Sequence, residues 1–279
     1  MKLAFTTLGC PQWDLDTILD RATASGYDGV DFRGYLGEMN LPVRPEFSTR
    51  ADATARRFRD AGLEIPCFSS SAKIYAKPAE AVEEVRRYSE LCARFSTPFI
   101  RVFGGPIQEN VPAQSAIETA AATLRRCMEI ASGHGVKLLL ETHDHWMDCR
   151  RLKALMHAVH SPHVGILWDV HHPWRFIGEP PETTWAALAP WIAYTHVKDS
   201  KLTTRKPGEP VAFQYCLTGE GDLPLHPIAR TLKTGGYDGY LTYEWEKVWH
   251  PDIAEPEIAI PHYARAMRVL LASLSKKQR

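Results

Sequence analysis

Along this chain short apolar runs alternate with longer stretches in which apolar positions recur at helical spacing. Lys2 to Thr7 is the first apolar run. Asp14 then caps an amphipathic segment, Leu15 to Ala24, that stops at Gly26 as a helix with a glycine C-cap should. Gly26 to Arg33 predicts strand two, and a helix from Phe47 to Ala61 ends at Gly62. Strands three to six are expected over Glu64–Phe68, Pro98–Phe103, Val136–Glu141 and Val164–Asp169. The helices after them are expected over Pro78–Phe95, Pro112–Ser132, Arg150–Val159 and Thr183–Leu188. Ile192–Val197 and Tyr240–Glu244 complete the strands, with helices over Pro224–Thr234 and Glu257–Leu274. Prolines open these helices and glycines close them.

Eight strands alternating with helices predict the α/β class and a parallel sheet closed into a (β/α)8 TIM barrel. A doubly wound open sheet fits less well, because no G-x-G-x-x-G follows strand one and the polar clusters do not gather at one switch point. Residues 1–279 read as a single domain, with longer βα connections at about 34–46 and 199–223 that carry function or are solvated insertions. Ser275 to Arg279 reads as a frayed tail.

The strands end in a distinctive way. KLLLETHDHW breaks on Glu141, His143, Asp144 and His145, VGILWDVHHPW on Asp169, His171 and His172, IAYTHVKDS on His196, Lys198 and Asp199, and YLTYEWEK on Glu244 and Glu246. In a barrel the C-terminal ends of the strands converge on one mouth, so Glu141, Asp169, His196 and Glu244 are expected to face one cavity. Three carboxylates brought together would raise one another's pKa, whereas a divalent ion neutralises most of the charge. Oxygen-rich ligation with a single imidazole suits Mn2+ first, with Mg2+, Co2+ or Zn2+ as alternatives. Scattered surface polars at the mouth are the plain alternative.

Lys198 shares the inward alternation of His196 and could donate to a developing oxyanion, or be a surface lysine paired with Asp199 or Glu220. His143 and His145 follow Glu141 on the same alternation, as substrate contacts or as simple loop histidines. Trp13, Phe68, Phe103, Trp146, Trp174 and Trp249 fall at strand ends and loops, where an aromatic face can stack on a sugar ring or serve the core. Arg33 and Arg101 could reach a carboxylate or phosphate.

Composition narrows the partners. With 44% hydrophobic and 24% charged residues the chain has material for a full core. Its 33 basic and 33 acidic residues cancel, so there is no global positive field to hold nucleic acid. The six cysteines form no C-x-x-C pair, and reduced core thiols are expected. The N-terminus lacks the pattern of a signal peptide and no run of 18 apolar residues occurs, so a cytoplasmic protein without a membrane partner is expected.

The chain resembles the xylose-isomerase-like TIM barrels, the superfamily of sugar phosphate isomerases and epimerases that also includes dehydratases and apurinic endonucleases. The resemblance runs from GYDGVDFR through the D-x-x-H of Asp169 to His172, the HVKD of His196 to Asp199 and the GEGD of Gly219 to Asp222, to the final YEWE. It implies metal ligation by Glu141, Asp169, His196 and Glu244, with Glu246 past the expected strand end. It also implies a substrate-oxygen contact at His172 and acid/base roles for Glu141 and Glu244. The activity so implied is that of a divalent-metal-dependent isomerase or epimerase of a keto-sugar or related polyol, working through an enediolate next to a metal-bound carbonyl. A dehydratase or lyase of the inosose or 3-dehydroshikimate type would use the same site. Sequence cannot separate the two, because they share the first proton abstraction. An apurinic endonuclease is distant, since CFSSSAK and RVFGGP lack the extra histidines of that kind of member. A non-catalytic barrel is the remaining possibility. The substrate is expected to be a small sugar or polyol, and a homo-oligomer is left open.

Overall fold

The computed structural model describes residues 1–204 and 208–276. Its strands are β1 (Lys2–Thr6), β2 (Gly29–Asp31), β3 (Cys67–Lys73), β4 (Phe99–Phe103), β5 (Lys137–Glu141), β6 (Val164–Asp169), β7 (Ile192–Val197), β8 (Asp199–Thr204), β9 (Ala212–Cys216) and β10 (Tyr240–Tyr243). The helices are α1 (Leu15–Ser25), α2 (Ala51–Asp60), α3 (Pro78–Phe95), α4 (Ala113–Gly133), α5 (Cys149–Val159), α6 (Pro181–Leu188), α7 (Leu225–Thr234) and α8 (Pro256–Lys276). Local chemistry sets several ends. Asp14 accepts from the Thr17 N–H and Asp148 from the N–H groups of Arg150 and Arg151, while Gly26 closes α1 in the left-handed region.

The eight strands other than β8 and β9 form one parallel sheet in the order β2-β1-β10-β7-β6-β5-β4-β3. Its two outer strands meet through isolated parallel bridges, with the Val30 N–H donating to Glu64 O at 3.0 Å and the Ser69 N–H to Phe32 O at 3.0 Å. A (β/α)8 barrel results, with helices between the strands. Alternation along each strand sorts the side chains. Leu138 and Leu140 of β5 face the helices, whereas Leu139 joins Ala4, Cys67, Leu167, Tyr194 and Tyr240 inside the barrel. One inward layer nearer the C-terminal ends, this apolar plug gives way to buried Arg101, Glu141, Asp169 and His196.

Four local expectations need correction. Strand three lies at Cys67–Lys73 instead of Glu64–Phe68, because the polar run Ser69 to Ser71 is satisfied inside the sheet: Ser70 Oγ donates to Arg101 O at 2.6 Å and Ser69 Oγ to Asp31 Oδ2 at 3.1 Å. Helix two starts at Ala51, since Pro45–Phe47 forms a separate 3-10 turn. The connection from Asp199 is largely an antiparallel hairpin, β8 with β9. Of the expected tail, residues 275–276 continue α8 and residues 277–279 lie outside the described residues. The cysteines are free thiols, and no described helix is long and apolar enough to cross a membrane.

Candidate metal centre

Four consecutive positions around the barrel supply the centre. Glu141 ends β5, Asp169 ends β6, His196 is next to last in β7, and Glu244 follows β10, its N–H donating to Val197 O at 3.0 Å. One potential ligand atom from each lies within 4.8 Å of the others, and all four side chains are buried. Sequence separation of about a hundred residues is removed by strand adjacency alone.

His196 is held from behind. Its Nε2 meets Asp31 Oδ2 at 3.1 Å, and its Nδ1 faces Glu244 Oε1 at 3.0 Å and Glu141 Oε1 at 3.7 Å without hydrogen-bond alignment to either. A carboxylate on one ring nitrogen orients the imidazole and makes the other nitrogen a better ligand. Asp169 Oδ1 accepts from the N–H groups of His171 at 2.8 Å and His172 at 3.1 Å, leaving Oδ2 to Lys198 Nζ at 2.5 Å. Lys198 also pairs with Glu244 and, at 2.9 Å, with Glu246. Arg101 Nε lies 3.2 Å from Glu141 Oε2.

Electrostatics follow from this crowding. Burial pushes the Glu141 carboxyl up, but the Arg101 guanidinium overcomes it and holds the group below its usual range. Burial is likewise outweighed at Glu244, which His196 and Lys198 hold well below the usual range. Asp169 goes the other way: burial pushes it up to about 7 despite Lys198. For His196 and Lys198 burial opposes charge, yet the surrounding carboxylates raise both well above their usual values.

The residues fit a divalent cation. Among the described residues Asp31, Glu141, Asp169, Glu244 and Glu246 form Lys or Arg ion pairs only with Arg101 and Lys198; with all five ionised and His196 neutral, as metal ligation requires of the ligands, the group carries three net negative charges, which one such ion reduces to one. His196 Nδ1 and Glu141 Oε2 are buried without hydrogen-bond partners, and coordination would satisfy both. Carboxylate oxygens with one imidazole form a hard to borderline donor set, and no thiol belongs to it.

The other expected site residues divide. His172 Nδ1 lies 3.1 Å from Thr142 O, and its ring meets His143 edge-on at 4.7 Å; His143 in turn packs on Phe103 at 4.7 Å. Both imidazoles therefore line one wall beside Asp169. His145 accepts from the Ile107 N–H at 2.7 Å and serves loop packing. Lys198 is no surface lysine; it is fully buried among the carboxylates of Asp169, Glu244 and Glu246.

For four of the expected substrate contacts the structure shows protein partners instead. Phe68 faces the helices, in edge contact with Phe47, Tyr88 and Phe95, because strand alternation turns it away from inward Cys67 and Ser69. Arg101 is 1% exposed and stacked on Phe103 at 3.8 Å, so its guanidinium positions Glu141. Trp13 is buried with its Nε1 donating to Glu257 Oε1 at 2.9 Å. Trp174 carries the Arg175 guanidinium on its ring at 4.6 Å and packs against the core. Among the remaining aromatics, Trp146 is core, its Nε1 donating to Gly105 O at 2.9 Å, while Trp249 is exposed.

Two features escaped the sequence reading. Asp31 stands in a three-residue strand with no pattern around it, although GVDFR is the strand end most like the other four. The hairpin brings Phe213 to 5.2 Å and Tyr215 to 5.7 Å from His171, walling one side of the mouth. Its signal was the alternation of Phe213 and Tyr215 around Gln214.

A family model described as xylose isomerase-like TIM barrel matches residues 19–270. The chain is 25% identical over 186 residues to a 3-dehydroshikimate dehydratase of Bacillus anthracis, a match that spans 65% of this chain and 65% of that relative. Among solved structures, the IolI protein with a bound zinc atom superposes with a TM-score of 0.80 at 18% identity, covering 98% of this chain and 99% of that one. An L-ribulose 3-epimerase superposes with a TM-score of 0.76 at 17% identity, covering 99% and 96%. At such identities these structures share the fold.

Proposed function

Because this chain belongs to the xylose isomerase-like TIM-barrel family, we propose that it is a divalent-metal-dependent isomerase or epimerase of a keto-sugar or related polyol, acting on a small molecule in the cytoplasm. The observation that carries this reading is the convergence of Glu141, Asp169, His196 and Glu244 within 4.8 Å, with His196 oriented from behind by Asp31. A bound divalent ion, Mn2+ by the donor set, would polarise a substrate carbonyl and acidify the adjoining C–H. The remaining work belongs to the chain. Glu141 and Glu244 are both ionised at neutral pH, so either can take the proton; the one that returns a proton to the opposite face first draws it from solvent, and the first releases its own to solvent to close the cycle. Lys198 keeps Asp169 and Glu244 fixed and lends positive charge where an oxyanion would develop. His172 is kept neutral by burial and by Lys198, and with His143 it meets substrate oxygens.

A dehydratase is the second reading, favoured by the likeness to the 3-dehydroshikimate dehydratase. It uses the same proton abstraction and ends in loss of a β-hydroxyl. Incubation of the Mn2+-loaded protein in deuterated water with ketoses and with 3-dehydroshikimate separates the two: epimerisation incorporates deuterium at one carbon, and elimination yields an absorbing conjugated product. Glu141→Gln and Glu244→Gln should each lower either activity by about a thousandfold or more, since each removes a proton-transfer group and a ligand. A wild-type protein that takes up no metal, or variants with undiminished turnover, would refute the proposal.

A further inference from the structure

The four ligand strands β5, β6, β7 and β10 are consecutive around the barrel, and β2 lies across the mouth, four places from β6 in either direction. Asp31, the last residue of β2, points inward to His196 and the next residue, Phe32, outward to Phe47 and Phe58; if the alternation continues past the strand end, Arg33 turns inward again, one layer nearer the mouth than Asp31. Its backbone is fixed there. The Arg33 N–H donates to Thr7 Oγ1 at 2.9 Å, Thr7 Oγ1 donates to Gly34 O at 2.6 Å, and Gly34 turns the chain away at φ +87°.

Arg33 is 9% exposed, yet no carboxylate among the described residues forms an ion pair with it; its guanidinium donates one hydrogen bond, to Met39 Sδ at 3.5 Å, and feels Tyr88, Glu141 and Glu84 only at longer range. Of the two inward guanidiniums of this half-barrel, Arg101 has Glu141 and Arg33 has no anion. Trp13, Tyr35 and Met39 line a narrow crevice beside it, with space for little more than one water. Burial and the Arg101 charge pull Arg33 down to about 10, which leaves it fully cationic at neutral pH. A buried charge without a direct partner is costly, and Glu141 and Glu84 act on this one without reaching it.

We propose that Arg33 receives the carboxylate of an anionic substrate, so that the substrate class is a keto acid spanning the mouth from the metal-ligand wall to β2. This assignment rests on the function proposed above. Its own amide is committed to Thr7, so Arg33 offers the guanidinium fork alone, which matches the two oxygens of a planar carboxylate.

The test measures calorimetric binding to the Mn2+-loaded protein of matched pairs: 3-dehydroshikimate against its methyl ester, and 5-keto-D-gluconate against L-sorbose. Wild-type protein should prefer at least one acid over its neutral partner by about tenfold to a hundredfold, the worth of one charge-assisted pair. Arg33→Gln should abolish that preference while metal uptake persists, and Arg33→Lys should restore only part of it, since an ammonium cannot bind bidentately. Equal binding of acids and neutral partners by wild type, or a preference kept in Arg33→Gln, overturns the inference. Fructose 6-phosphate bound more tightly than every keto acid also overturns it, in favour of phosphate. Deuterium exchange into neutral ketoses alone would sink the inference and leave the proposed function standing, whereas absence of metal uptake would sink that function first.

Discussion

Replacing Asp31 by asparagine tests how far the centre depends on a residue that touches no substrate. Asp31 Oδ2 is 3.1 Å from His196 Nε2 and accepts from Ser69 Oγ at the same distance, with both the aspartate and the histidine fully buried. Asparagine keeps the shape and the oxygen but removes the charge. Loss of such a carboxylate behind a ligating imidazole weakens metal binding by about 10- to 100-fold, or about 1.4 to 2.7 kcal/mol. A second effect opposes it. Asp31 is one of the groups that raise His196 well above its usual pKa, so the variant has less proton competition at Nδ1. The two effects separate with pH: the variant's deficit should be smallest near neutrality and grow as pH rises and His196 of the wild type gives up its proton. Chelator-competition titration with Mn2+ at several pH values reads this directly. A variant that binds Mn2+ as tightly as wild type at high pH would refute the orienting role of Asp31.

Two further outcomes follow from the charges. In the metal-free protein His196 is raised above about 6.5, so its stabilising contribution is present below that pH and is lost as pH rises through the folded value; Asp169, pushed up to about 7, costs stability progressively from about 3.8 to 7. The metal-free protein should thus lose thermal stability as pH rises from about 4 through neutrality while the Mn2+-loaded form gains relative to it, and a melting-temperature gap that narrows with pH would contradict this. Lys198→Met leaves Asp169 and Glu244 buried without their cation, which should cost the metal-free protein about 3 to 5 kcal/mol in urea denaturation, with saturating Mn2+ recovering part of it.

The ligand strands were the most legible part of the chain, because an apolar run that stops on an acid or imidazole marks both a buried strand and its functional end. Glu141, Asp169, His196 and Glu244 could be read that way and lie together in the structure. Direction was harder to read than position. Arg101 and Phe68 stand on the expected strands, but one is absorbed by Glu141 and the other by the aromatic layer under α2 and α3, and only tertiary partners decide that. The serines of β3 read as loop because their polarity is hidden by hydrogen bonds to Arg101 O and Asp31. The β8–β9 hairpin left a signal only in its second half, the alternation of Phe213 and Tyr215: an antiparallel pair is stabilised across strands, and Asp199–Thr204 alone looks like a polar connection.

The pairing of β1 with β10 joins the first strand of the chain to the last one of the barrel, with Leu3 beside Leu241 and Phe5 beside Tyr243. The candidate ligands appear in chain order, and Glu244 comes directly after that closing strand. A chain folded only as far as β7 would hold three of them on an open sheet whose edges at β1 and β7 still lack partners. Completion of the ligand set and completion of the barrel are thus the same event in folding, and tight ion binding would mark molecules whose last strand has docked.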